Sequence, residues 1–139
     1  MKKELTVYCD GGARGNPGPA AAAFVVERDG RVIHKESRFL GRATNNEAEY
    51  AAVLLAVHWL LKNPKNYDTA VLLVLDSELV AKQLSGIFKI KSEKLRNYFF
   101  SIKELERKIQ AGLFYKSVSR NKNKLADFLV NKTLDENFR

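Results

Sequence analysis

Between Thr69 and Asp76 the chain reads TAVLLVLD, apolar without a break from Ala70 to Leu75. A strand with one wet face would alternate, so a strand-length run lacking any polar position fits a central strand covered on both sides. At 139 residues the chain can bury one sizeable core, and it is read as a single domain spanning residues 1–139. The other segments should then supply the rest of one sheet and the helices that cover it.

Residues 4–9 alternate, with Leu5, Val7 and Cys9 on one face and Thr6, Tyr8 and Asp10 on the other, which puts Asp10 at the strand's end. The run 20–26 mixes alanines, which favour helix, with Phe24, Val25 and Val26, which favour strand, and is read as a strand. Arg28-Asp29-Gly30 supplies a hairpin turn and residues 31–40 return, so the first forty residues form an antiparallel meander. Thr44 and Glu47 have the spacing of a capping box and open a long helix that ends near Asn63-Pro64. After the apolar strand, Ser77 caps a short helix ended by Gly86, and residues 92–110 form another helical stretch. Residues 113–119 read as a last strand and 123–136 as a last helix. The order βββαβααβα describes an α/β fold, a mixed sheet with helices on its faces.

The excess of 24 Lys and Arg over 16 Asp and Glu leaves a formal charge of +8, which suits a polyanion such as nucleic acid or an anionic membrane surface. No apolar run approaches the roughly 20 residues of a membrane-spanning helix. One cysteine, Cys9, excludes an internal disulfide, and the N-terminus lacks the apolar stretch of a signal peptide. A soluble protein in a reducing, cytoplasmic setting is expected.

Most of the acidic residues read as solvated surface charge, but four do not. Asp10 and Asp76 each sit where a strand leaves the core. Glu49 falls in helical register with Ala52 or Val53, Ala56 and Leu60, and Asp127 with Val130 and Leu134, so both continue inward-facing apolar stripes. A carboxylate so placed must be paired, protonated or bound to metal. Hard divalent cations, Mg2+ or Mn2+, select carboxylate oxygens, whereas His34, His58 and Cys9 offer no zinc set. The stretch YCDGGARGNPG lacks GxxxxGK[ST], and its glycines open no helix, so it is neither a nucleotide P-loop nor a dinucleotide fingerprint.

Four segments in order, YCDGGARGNPG, GRATNNEAEYAAV, LDSELVAKQLSG and SRNKNKLADFLVN, resemble the successive motifs of type 1 ribonuclease H over nearly the whole chain. The resemblance implies a mixed five-stranded sheet, antiparallel in its first three strands, flanked by helices. It implies hydrolysis of the RNA strand of an RNA/DNA hybrid by two Mg2+ ions, with Mn2+ as a substitute, leaving 5′-phosphate and 3′-hydroxyl ends. The acidic quartet maps onto Asp10, Glu49, Asp76 and Asp127 as catalytic and metal-binding residues, Asp10 bridging the ions. Glu47 is the competing acid, but the TNNxxE pattern selects Glu49. Gly11 and Gly12 are expected to seat the RNA backbone, Asn16, Asn45 and Asn46 to contact sugar and base edges, and Arg42 and Thr44 to grip a DNA phosphate. No protein partner is implied, and a monomer is expected.

Two departures stand out. Ser117 falls where many relatives carry a histidine before the last aspartate, which leaves a neighbour such as Arg120 to assist. The interval from Asp76 to Asp127 holds Lys89, Lys91, Lys94 and Arg96 but no tryptophan, so an extended basic protrusion is not expected. Trp59, on an apolar helix, reads as core. Another nuclease of the same superfold and a non-catalytic hybrid-binding module are the competing functions.

Overall fold

The computed structural model describes residues 4–137, so the first three residues of the N-terminal segment lie outside it. The elements are β1 (Leu5–Ala13), β2 (Gly18–Arg28), β3 (Arg31–Ala43), α1 (Asn45–Lys62), β4 (Ala70–Leu75), α2 (Glu78–Leu84), α3 (Glu93–Glu106), β5 (Gly112–Ser117) and α4 (Lys124–Asn137). Five strands form one mixed sheet in the order β3-β2-β1-β4-β5. The β1–β2 and β2–β3 pairs are antiparallel, and β1–β4 and β4–β5 are parallel. The mixed five-stranded sheet with its first three strands antiparallel is the one the resemblance implies, and the strand order and the parallel β1–β4 and β4–β5 pairs add to it.

Strand parity sorts the core into two layers. Leu5, Val7 and Cys9 join Tyr50, Val53, Leu60 and their neighbours on one side, while Tyr8 packs with Ala126, Leu129, Val130 and Leu134 on the other. Ala20 to Ala23 are all buried because β2 is covered by α1 on one face and α4 on the other. Small side chains there keep both helices close to the sheet, which explains why a strand carries helix-favouring alanines. Trp59 is half-buried against the larger cluster and stacks on His34 at 4.9 Å, while His58 is exposed.

Several boundaries differ from the expectation. β1 does not stop at Cys9. It continues through Asp10, Gly11 and Gly12 because these residues pair with Ala23, Ala22 and Ala21 of β2, whereas pairing with β4 ends at Tyr8 and Val74. Asp10 therefore leaves the β4 ladder and not the strand itself. The turn lies further on, around Gly15 (φ 92°) and the cis Asn16–Pro17 peptide. β2 starts at Gly18 and β3 runs on to Ala43, carrying Arg42 at its end. α3 closes at Glu106, short of Gln110, and β5 closes at Ser117, where its partner β4 also ends. No extended protrusion separates α2 from α3, which are joined by residues 85–92.

Candidate active site

The sheet itself brings two of the acids together. Tyr8 and Val74 are the last partners of the parallel β1–β4 ladder, and Asp10 and Asp76 each lie two residues further on, so the two carboxylates leave adjacent strands at one level. Glu49 arrives from the start of α1 and Asp127 from the first turn of α4. All four line a single cavity of about 300 Å³, together with Gly12 and Arg120.

Gly11 explains how α1 comes close enough. A Cβ at Gly11 would land on the carbonyl group of Ala48 and stand 2.5 Å from the Glu49 nitrogen. The close approach expected of this glycine is thus to the chain's own helix, and it sets the Glu49 backbone against β1. At Gly12 a Cβ would meet only Val130 Cγ1 at 3.8 Å, and this residue borders the acidic cavity.

Crowding of like charges governs the electrostatics. Burial, followed by the charges of Asp76, Asp127 and Glu49, pushes the Asp10 carboxyl up to about 8. Burial and Asp76 push Glu49 up to about 7, against a hydrogen bond from Ser77 and the charge of Arg120. Asp76 Oδ2 is buried without a hydrogen-bond partner, with Arg120 Nε 3.9 Å away. Among the described residues no three His, Cys, Asp or Glu side chains are grouped closely enough to hold a metal ion. The donor set nevertheless fits a hard divalent cation, being all carboxylate oxygen with one buried oxygen unpartnered. Asn131 Nδ2 donates to the Asp127 carbonyl at 3.1 Å and to its carboxylate at 3.4 Å, fixing that side chain.

A second cavity of about 740 Å³ adjoins the first, and Asn45 lines both. Asn16, Arg42, Thr44, Asn45 and Asn46, the residues expected to contact substrate, all line the larger one. Their amides are oriented by the backbone. Asn45 Oδ1 accepts from Ala13 N–H at 2.8 Å, and Asn16 Oδ1 accepts from Asn45 N–H at 3.0 Å. With both carbonyl oxygens engaged, each side chain keeps its NH2 donors for another acceptor.

Glu47 is occupied elsewhere. Its carboxylate accepts from Thr44 N–H at 2.9 Å, and its own N–H donates to Thr44 Oγ1 at 3.1 Å, completing the capping box.

Some residues that border the two cavities were not among the expected catalytic or substrate contacts. Ser92 and Lys94, at the start of α3, form the far wall of the larger cavity, and Lys94 Nζ lies 3.5 Å from Glu47. Arg14 Nη2 pairs with Asp135 at 2.6 Å and ties the β1–β2 turn to α4. From the connection after β5, Arg120 and not Ser117 borders the acidic cavity.

Comparison with known proteins decides the family. The family model described as RNase H matches residues 2–134. The chain belongs to the RNase H family. Its type 1 RNase H-like fold is shared with solved structures. An RNase H1 called LC11, solved in complex with an RNA/DNA hybrid, superposes with a TM-score of 0.91 at 35% identity, over 97% of this chain and 99% of that one. The RNase H1 of Halobacterium salinarum gives a TM-score of 0.88 at 35% identity, over 96% of this chain and 98% of that one.

Among curated sequences, the ribonuclease HI of Halobacterium salinarum is 38% identical over 130 residues, covering 93% of this chain and 63% of its own length. A bifunctional protein of Mycobacterium tuberculosis is 34% identical over 134 residues, covering 95% of this chain. This RNase H chain spans only 36% of that mycobacterial relative.

Proposed function

We propose that this chain is a divalent-metal-dependent endoribonuclease that hydrolyses the RNA strand of RNA/DNA hybrids, leaving 5′-phosphate and 3′-hydroxyl ends. The observation that carries the reading is the meeting of Asp10, Glu49, Asp76 and Asp127, from four separate elements, in one cavity beside the asparagine-lined groove. The hybrid bound by the LC11 relative supports the substrate class.

Asp10, Glu49, Asp76 and Asp127 would hold divalent metal, two Mg2+ ions with Mn2+ as a possible substitute. Bound there, the cations would supply an activated water and neutralise charge at the scissile phosphodiester. The protein's own contribution is placement. Asn16 and Asn45, their carbonyls already engaged, offer NH2 donors to acceptors in the minor groove of a hybrid, and such acceptors occur at every base pair. Arg42 and Thr44 hold a phosphate of the DNA strand, and the 2′-hydroxyl marks the strand to be cut. Arg120 brings a positive charge to the acidic cavity. No helix among the described residues is long and apolar enough to cross a membrane. A monomer acting in the cytoplasm completes the reading; the free, buried thiol of Cys9 suits the reducing compartment and does not bear on assembly.

The test compares strand-labelled RNA/DNA, RNA/RNA and DNA/DNA duplexes with Mg2+, Mn2+ or chelator. Cleavage confined to the RNA of the hybrid, lost with chelator and in Asp10→Asn, is expected. Equal cleavage of RNA/RNA would instead indicate a different nuclease of this superfold, and metal-independent binding without cleavage a recognition module.

A further inference from the structure

The first helical hydrogen bond of α4 runs from Asp127 N–H to the Asn123 carbonyl at 3.1 Å, so the helix starts on Asn123. An asparagine in that place ordinarily turns its side-chain oxygen onto the N–H groups of the first turn. Asn123 does not. It is 1% exposed, its Oδ1 is buried with no hydrogen-bond partner, and its Nδ2 donates to the Cys9 carbonyl at 2.8 Å. The side chain serves a contact 114 residues away in sequence and leaves the adjacent helix end without it.

Both ends of that hydrogen bond lie beside the acids. The Cys9 carbonyl belongs to the peptide that joins Cys9 to Asp10. Cys9 lies just past Tyr8, the last β1 residue paired with β4, and although it still pairs with Phe24 of β2 its carbonyl accepts from Asn123. At the other end, Asn123 precedes Asp127 by one helical turn. A single buried hydrogen bond therefore joins the backbone of one acid to the turn that presents another.

We propose that Asn123 is a positioning residue, whose amide pins the first turn of α4 to the β1 peptide before Asp10 and so sets the span between the Asp10 and Asp127 carboxylates across which a divalent cation is held. The inference rests on reading those acids as metal ligands. Asn123 touches neither the substrate nor the reacting atoms, and acts through the two aspartates.

Two substitutions separate pinning from helix starting. Serine is as good a helix N-cap as asparagine, but its hydroxyl stops short of the Cys9 carbonyl, whereas alanine supplies neither function. The full chain, Asn123→Ser, Asn123→Ala and Asp10→Asn are titrated with Mn2+ by calorimetry in the absence of nucleic acid. Thermal melts, and kcat and KM on the hybrid, are measured alongside. Asn123→Ser is expected to be folded at the assay temperature, to bind Mn2+ about tenfold more weakly and to lose kcat by a similar factor. Its KM for hybrid should not change, because the asparagine-lined groove is built from other residues. Asn123→Ala should show the same losses, and if it does not fold, the serine variant decides. Wild-type Mn2+ affinity and kcat in Asn123→Ser, whatever its melting temperature, overturn the inference. If the wild-type protein shows no Mn2+ binding that Asp10→Asn removes, the metal reading of the site fails and takes this inference with it; with that control sound, only the role of Asn123 is at stake.

Discussion

Arg120 Nε stands 3.9 Å from the buried, unpartnered Oδ2 of Asp76, although the Arg120 side chain as a whole is 80% exposed. A guanidinium is thus held beside the acidic cavity on a solvent-exposed stem. The same charge opposes the upward shift of Glu49. Arg120→Ala should lower kcat on the hybrid by about tenfold, equivalent to about 1.4 kcal/mol of transition-state stabilisation, a modest figure because solvent screens so exposed a group. KM should change little, since Arg120 does not line the larger groove. Steady-state kinetics at fixed Mg2+ check this, and an unchanged kcat removes Arg120 from the mechanism.

The raised carboxyls carry a sign that can be measured without substrate. In the folded, metal-free protein Asp10 is pushed from 3.8 up to about 8 and Glu49 from 4.5 up to about 7. Between those limits the native state binds more protons than the unfolded chain, so stability falls as pH rises. The contribution is fully present below pH of about 4 and is lost as pH climbs through about 8. Melting in chelator should therefore drop as pH goes from 5.5 to 8.5, on the order of a few degrees per kcal/mol for a domain of this size. Asp10→Asn should flatten that slope and melt above wild type at the alkaline end, and added Mg2+ should raise the melting point of wild type but not of the variant. A wild-type melting point that is flat or rises across the window in chelator contradicts the clustering of these acids.

Gly11 and Gly12 separate packing from recognition. An alanine at Gly11 collides with the Ala48 carbonyl group, which is backbone and cannot turn aside. Gly11→Ala should cost about 3 kcal/mol or more, at the upper end for overpacking, and should displace Glu49. At Gly12 the new methyl meets only Val130 Cγ1 at 3.8 Å, so Gly12→Ala should change stability by less than about 0.5 kcal/mol. Any rise in KM for hybrid in Gly12→Ala then reports contact with nucleic acid. Denaturant melts and kinetics on the two variants distinguish these outcomes, and equal destabilisation of both removes the distinction.

What the sequence disclosed, and what it hid, follows from the range of the interactions. The unbroken run Ala70–Leu75 identified the central strand because covering both faces of a strand leaves a local mark. Thr44 and Glu47 were legible for the same reason, since a capping box closes within four residues. The acid stripes could be read because a helix repeats every turn. Ala52, Ala56 and Leu60 on α1 and Val130 and Leu134 on α4 are buried. By contrast, β1 passes through two glycines because β2 holds it there, and glycine's own preference gives no sign of a strand. Arg14 with Asp135, Asn45 with Ala13 and Asn123 with Cys9 join residues distant in sequence, so no local pattern announces them. Arg120 was reached only indirectly, as a neighbour left to assist where Ser117 replaces the histidine of many relatives.

Asn45 offers the sharpest separation of folding from binding. Its Oδ1 accepts from Ala13 N–H and leaves the NH2 group facing outward between the two cavities. Asn45→Asp keeps an acceptor for Ala13 and places a negative charge in the first turn of α1, where the helix dipole favours it. It removes both donors and turns a carboxylate toward a polyanion. The melting temperature should therefore hold or rise slightly, while KM for the hybrid rises by at least about tenfold, or about 1.4 kcal/mol of binding. Asn45→Ala should do the reverse on the first count, because it strips the Ala13 N–H of its partner, with a loss of about 1–3 kcal/mol if that N–H stays dry. Lowering salt should not rescue Asn45→Asp, since weaker screening strengthens its repulsion from phosphate. Calorimetry and hybrid binding in chelator measure the two effects separately, and an Asp variant that binds hybrid as wild type does would show that the Asn45 donors are not used in recognition.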